Sequence, residues 1–354
     1  MKKSIILFTS MILINTSLVS QVFPGENWSY SQTSESNGWD PLKIKVFERY
    51  IIDSTVVTGL LIIQDGEIVF EYGDIIENSY IASCRKSVLA MLYGKYVESG
   101  QINLNKNIEA LGIDDVEGIL PIEKKATIHD LISARSGVYH PEGYPGGMQE
   151  FAPERGSIEP GTYWLYNNWD FNVAGYIFEQ ETGKNIYDEV EKQLVIPTQM
   201  QDWDRSLQKK EGDTTISKYL AYMMWFSTRD MARIGLLMLN RGKWNDQQII
   251  SENWVNEMLK HWTTSSEINE NVPVFRDISG SLGYGYMWWL FEEMNDDRFK
   301  NAYTASGDMG QAIAIFPEIN VVVAYKTKAA YKRSNSIKVM VDILKKSVEI
   351  YEPK

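Results

Sequence analysis

Ser83-Cys84-Arg85-Lys86 is the first stretch whose residue types and spacing suit covalent chemistry. A helix turns about 100° per residue, so positions three apart share a face. Ser83 heads an apolar-periodic run, and Lys86 follows on the same side. A serine hydroxyl is a weak nucleophile at neutral pH, and a neutral amine beside it can take its proton. That amine must first lose its own charge, through burial or a neighbouring cation. Backbone N–H groups at the helix start favour negative charge nearby. The spacing is not specific by itself. A second copy, Ser206 to Lys209, lies in the charged run DRSLQKKEGD and reads as an exposed turn.

Two further segments could complete a site. Tyr166-Asn167-Asn168 is the only Tyr-x-Asn in the chain, and it follows Pro160-Gly161-Thr162. A short turn there can present a phenol that relays or accepts a proton and an amide, Asn168, that orients a carbonyl. Ala305-Ser306-Gly307-Asp308 precedes an apolar strand. Glycine at such a place lets the backbone approach a ligand closely. Ser306 keeps a hydroxyl within reach of substrate. The loop YHPEGYPGG contributes Tyr139, His140 and Tyr144 as a candidate cleft wall, with Tyr139 a candidate substrate contact.

The elements that must hold these residues follow from local signals. Asp40-Pro41 reads as an N-cap with proline at the first helical position, opening a helix over 41–52. Thr58 to Gln64 and Glu67 to Tyr72 are β-rich runs joined by Asp65-Gly66, a type I′ hairpin signal. Ser83 to Glu98 has helical periodicity, with Val88, Leu89, Leu92, Tyr96 and Val97 on one stripe and Gly100 as its stop. Thr127 and Asp130 bracket another helix start, read as running to Gly137. Residues 170–194, 228–240, 251–261 and 335–350 read as amphipathic helices. Gln311 to Phe316 and Val321 to Lys326 are apolar strands. Strands near both ends with helices between predict an α/β chain of the α+β type: one antiparallel sheet built from the two ends, flanked by helices, with an inserted, mostly helical lobe.

With those elements in place, the motifs resemble the serine β-lactamase and penicillin-binding superfamily. The order Ser-x-x-Lys, Tyr-x-Asn and a glycine-containing triplet is similar to the class C-like branch, with its esterases and 6-aminohexanoate-dimer hydrolases. ATIHDLISARSGV (126–138), PGTYWLYNN (160–168), STRDMARIGLLMLNRGKW (227–244), GYGYMWW (283–289) and GQAIAIFPEINVVVA (310–324) carry the likeness over about residues 40–345. It implies that Ser83 forms an acyl-enzyme while Lys86 and Tyr166 handle its proton. Asn168 would hold the substrate amide or the lysine. The N–H groups of Ser83 and Asp308 would form an oxyanion hole. One departure bears on substrate: penicillin-recognising relatives carry Lys-Thr-Gly or His-x-Gly where this chain has Ala305-Ser306-Gly307. Ala305 cannot pair with a carboxylate, so small amides and esters fit better than penicillins. A true β-lactamase or a D-amino-acid peptidase acting on cell-wall fragments would need another cation, with Arg135 and Lys328 as candidates. A non-catalytic sensor that kept the fold is a further alternative. A Ser-His-Asp esterase finds no Gly-x-Ser-x-Gly elbow here.

Composition narrows the rest. At 354 residues and 44% apolar, the chain can bury a large core. Its 35 basic and 47 acidic residues, with no dense basic run, argue against nucleic acid as a partner. One cysteine and three histidines cannot build a structural zinc cluster, and no metal or other cofactor is implied. Cys84 reads as a packed small residue, Arg229-Asp230 as an ion pair at a helix start and Trp288-Trp289 as core. Lys2 and Lys3 precede a mostly apolar stretch, Ile5 to Val19, with Ser20 before Gln21. This reads as a signal peptide over 1–20, hence export to the periplasm or medium, with no stable membrane insertion once it is removed. An entry arm follows over 21–39, then a hydrolase domain over 40–354. Its sheet lobe covers about 40–80 and 280–354 and its helical lobe about 81–279. The expected partner is a small amide or ester substrate, and no segment specifies an oligomeric state.

Overall fold

The computed structural model describes residues 22–31, 38–144, 146–277 and 281–352. The signal-peptide segment and part of the entry arm lie outside these residues. Helix α1 (Pro41–Ser54) starts as its cap predicts, with the Asp40 carboxylate accepting from Leu42 N at 2.8 Å and Lys43 N at 3.3 Å. Strands β1 (Gly59–Gln64) and β2 (Glu67–Gly73) form the hairpin. Asp65 and Gly66 both take positive φ, 52° and 88°, which the primed turn requires.

The C-terminal part supplies β3 (Ser281–Tyr284), β4 (Trp289–Glu292), β5 (Tyr303–Gly307), β6 (Gln311–Phe316) and β7 (Val321–Lys326). Together they make a seven-stranded antiparallel sheet in the order β2-β1-β7-β6-β5-β4-β3. The chain's two halves meet where β1 pairs with β7. Alternation along the strands sends Leu60, Ile62, Ala314 and Val323 to one face, under α1 and the C-terminal helix α6 (Ile337–Glu349). Leu61, Ile63, Ile313 and Val322 face the larger core. That core is covered by α2 (Cys84–Glu98) and α5 (Thr228–Leu239).

Most of the helical lobe lies between β2 and β3 in the chain. Its α3 (Ile128–Ile132) opens with a reciprocal capping box between Thr127 and Asp130. It ends at Ile132 rather than at Gly137. α4 (Asn168–Thr182) stops at Gly183, which adopts a left-handed conformation. The single helix expected over 170–194 is therefore broken there. A new helix, Ile186–Val190, starts behind the Asn185 cap and runs on in a π-turn to Val195. α2 also departs from expectation. Twelve of its fifteen residues are buried, so it has no solvent stripe and runs through the middle of the molecule.

Candidate active site

Ser83 is the N-cap of α2, so its hydroxyl stands at the helix mouth while Lys86 lies one turn on. The Ser83 backbone is anchored from both sides. Ile81 N donates to Met224 O at 3.0 Å, and the residue before Ser83, Ala82, takes a positive φ of 48°. Such strain in a non-glycine residue occurs where surrounding packing dictates the turn. Part of that packing is β5: a Cβ on Gly307 would lie 2.6 Å from Ile81 O and 3.1 Å from the Ala82 Cβ. Only glycine lets the strand pass this close to the serine.

Tyr166 and Asn168 reach the same place from the segment before α4. Leu165 N donates to Ala134 O at 2.9 Å, and the Asn167 side chain donates to Val138 O at 2.5 Å and caps α4. On the other side, Met148 N donates to Tyr166 O at 3.0 Å. Gly147 makes that approach tolerable, because a Cβ there would lie 2.9 Å from the same oxygen.

These elements converge on the Lys86 amine. Its Nζ is 3.1 Å from Ser83 Oγ, 2.7 Å from the Tyr166 hydroxyl and 2.5 Å from Asn168 Oδ1. Lys86 is 1% exposed and Tyr166 8%. The amine also lies 4.1 Å from the centre of the Tyr166 ring and 4.5 Å from that of Phe171. Burial, with the Arg85 guanidinium next to it, pushes the lysine well below its ordinary pKa, while Glu142 pulls weakly the other way. Burial drives the Tyr166 phenol up, and its hydrogen bond with Ser83 offsets this only in part. Both shifts favour the uncharged forms of the amine and the phenol. The amine donates to the acceptor-only Asn168 oxygen and keeps a lone pair for a hydroxyl proton.

A cavity of about 520 Å³ opens onto this cluster. Ser83, Tyr166, Asn168, Ser306, Gly307 and Asp308 all line it. Among the described residues, neither Ser83 N nor Asp308 N takes part in the turn and loop backbone hydrogen bonds. Ala305-Ser306-Gly307 is itself strand, the end of β5, rather than the turn before a strand. Tyr139 is not brought to the cavity. It is 8% exposed and belongs to the core, and its hydroxyl has no partner there. His140 is also structural: its two ring nitrogens lie 2.7 Å from Pro141 O and 2.6 Å from Val116 O. From the same loop, Tyr144 does line the cavity.

Other expected roles resolve by packing. Ser206 is exposed on a short turn and bonds Asp204. Cys84 is fully buried. Arg229 and Asp230 do not pair with each other: Arg229 holds Asp202 at 2.5 Å, and Asp230 accepts from the N–H groups of Gln201 and Asp202. Arg135 pairs with Glu267 at 2.7 Å and Lys328 with Glu77, so both candidate substitute cations are occupied.

Sequence reasoning missed three participants. Trp289 stacks on Tyr166, ring centres 5.5 Å apart, and walls the cavity. Arg85 sits between the serine and lysine of the motif, at a position the motif leaves free. Glu142 is half-buried, one of its carboxylate oxygens is buried without a partner among the described residues, and burial pushes its pKa up to about 7. No local pattern marks Glu142 or Trp289; Arg85 could have been flagged as the neighbouring cation that a neutral Lys86 requires.

The family model for Beta-lactamase matches residues 58–340. Among solved structures, the chain is similar to a protein assigned as a 6-aminohexanoate-dimer hydrolase from Bacillus anthracis. That match has 18% identity and a TM-score of 0.67 and covers 92% of this chain and 87% of the other. A β-lactamase from Mycobacterium bovis aligns at 14% identity and TM-score 0.60, covering 87% and 97% of the two chains. A family VIII carboxylesterase aligns at 15% and 0.61, covering 88% and 98%. At these identities the likeness is one of fold. No curated protein matches the sequence.

Proposed function

The chain belongs to the Beta-lactamase family, and from that premise we propose that it hydrolyses an amide or ester bond through an acyl-enzyme on Ser83. The observation that carries this reading is the convergence on Lys86 Nζ of the Ser83 hydroxyl, 3.1 Å away, and the Tyr166 hydroxyl, 2.7 Å away.

The roles follow from the protonation states that burial imposes. Lys86, held neutral, takes the proton as Ser83 Oγ attacks the substrate carbonyl carbon. The oxygen that becomes negative faces the N–H groups of Ser83 and Asp308. As the carbon–nitrogen or carbon–oxygen bond breaks, Tyr166 gives its proton to the leaving group and takes one from the lysinium. Tyr166 thus acts as a relay, because burial disfavours its phenolate. Water then adds to the acyl carbon, its proton returns along the same path, and Ser83 is released. Asn168 holds the amine in line. Ala305 offers no cation to a penicillin carboxylate on the β5 side, which supports simple amides and esters over penicillins.

A panel of p-nitrophenyl esters, short anilides and nitrocefin, run on wild type and Ser83→Ala, tests this. Ester cleavage is expected, with nitrocefin slow and the variant inactive. Lys86→Ala should lower kcat by about 100-fold or more, as for loss of a general base. Undiminished ester turnover in Ser83→Ala would refute the nucleophile. Fast nitrocefin turnover would move the substrate class and leave the nucleophile in place.

A further inference from the structure

Among the described residues, most arginines that are wholly or partly buried have acceptors for their donors. Arg233 donates to the carbonyls of Thr198, Gly25 and Glu26. Arg135, Arg155 and Arg229 each hold a carboxylate. Arg233 Nε lacks a partner too, but Arg85 has far fewer bonds in all. It is 2% exposed, its Nη1 makes a single bond to Ala82 O at 3.2 Å, and its Nε has no partner. Among the described residues no carboxylate pairs with it, and the Tyr222 ring lies 5.3 Å away. A guanidinium has five donors in a planar fork that matches a carboxylate. Keeping such a cation out of water without an anion is costly unless a partner arrives.

Two phenols that sense its charge are unpartnered as well. The Tyr187 and Tyr222 hydroxyls are buried without partners. The positive charge of Arg85 draws the phenols of Tyr80, Tyr187 and Tyr222 toward ionisation, although burial dominates each. Glu142 is pushed up to about 7 by burial, with Lys86 and, less, Arg85 drawing it down, and among the described residues it makes no ion pair with Arg85. Arg85 and Tyr80 line the same cavity as Ser83. An unpaired cation therefore lines the cavity beside the nucleophile, with the unpartnered Tyr222 phenol packed behind it.

We propose that Arg85 receives a carboxylate carried by the substrate, so that the preferred amides or esters bear a free acid group near the scissile bond. The inference rests on Ser83 being the nucleophile, and it supplies from α2 the cation that Ala305 withholds on β5. Arg85 is in this reading a specificity residue, and it also lowers the lysine's proton affinity.

The test compares esters matched in size. p-Nitrophenyl hydrogen glutarate is set against p-nitrophenyl butyrate, and 4-carboxyphenyl butyrate against phenyl butyrate, to place the acid on either side of the bond. Wild type should favour the acidic member of at least one pair by about tenfold or more in kcat/KM, the worth of a charge-assisted contact. Arg85→Met should collapse that ratio, and Arg85→Lys should restore part of it. A ratio cancels any common effect on Lys86. Because a buried substitution can impair folding, a second measurement uses wild type alone. Glutarate should inhibit butyrate ester hydrolysis competitively and several-fold better than glutaramide. Equal kcat/KM within both pairs, equal inhibition by glutarate and glutaramide, or a ratio that survives in Arg85→Met would overturn the proposal. The hydrolase reading fails separately, if Ser83→Ala still cleaves the esters.

Discussion

At the scale of single residues, burial shifts the proton affinities of Lys86, Tyr166 and Glu142. Desolvation and Arg85 lower the pKa of Lys86, and Glu142 opposes this as it ionises. In the proposed mechanism the free amine is the base, so kcat/KM should rise with pH through the depressed lysine pKa and then level off. An ionised Glu142 favours the protonated lysine and moves that rise to higher pH. Glu142→Gln removes the opposing charge, so the rise should shift to lower pH. A pH–rate profile that does not move would exclude the coupling. The sign for stability is separate. The folded pKa of Glu142, about 7, lies above its ordinary 4.5. Its contribution is present in full below 4.5 and is lost as pH climbs through 7. The glutamine variant should therefore gain on wild type in thermal stability between pH 5 and pH 8.

At the scale of elements, glycines set how closely helices and strands approach. Gly94 on α2 lies against the Trp254 indole, and a Cβ there would sit 2.3 Å from the ring. Gly235 on α5 faces the sheet, where a Cβ would lie 2.3 Å from Val322 Cγ1 and 3.1 Å from Ile313 Cγ2. Neither neighbour has room to yield in the core that covers this face. Alanine is the better helix former, so propensity alone would stabilise Gly235→Ala by roughly 1 kcal/mol. Overpacking should outweigh it, for a net loss of about 1–3 kcal/mol. Urea denaturation with an unchanged m-value would measure this. A variant as stable as wild type would mean that α5 can lift off the sheet without cost.

Across the whole molecule, the two chain ends build one sheet and the first described segment is tied onto it. Ser31 N donates to Ile68 O and Ile68 N to Ser29 O, both at 2.9 Å, so the arm runs beside β2. Further back, the carbonyls of Gly25 and Glu26 accept from Arg233 on α5. One arginine thus ties the arm to the central core. Arg233→Met should speed amide hydrogen exchange over residues 24–31 far more than it does in β6 and β7. Uniform acceleration across the sheet would instead show that arm and core unfold as one unit.

Much of the architecture is readable without coordinates, because its signals are local. Asp65-Gly66 demands positive φ twice, Asp40-Pro41 and the Thr127–Asp130 box satisfy orphan N–H groups, and Gly183 was available as a stop for α4. The mixed α/β class and the end-to-end sheet follow from where the β-rich runs lie. Ser83, Lys86, Tyr166 and Asn168 could be proposed together from motif order. Their meeting at one amine spans more than 80 positions in sequence, and packing alone produces it. Packing also turned Tyr139 into the core, set Trp289 against Tyr166, paired Arg135 and Lys328 with acids and left Arg85 without one. Local spacing determines which way a side chain leaves its own helix or strand. Burial, charge pairing and proton affinity depend on what the rest of the chain places around it, and only the tertiary structure decides that.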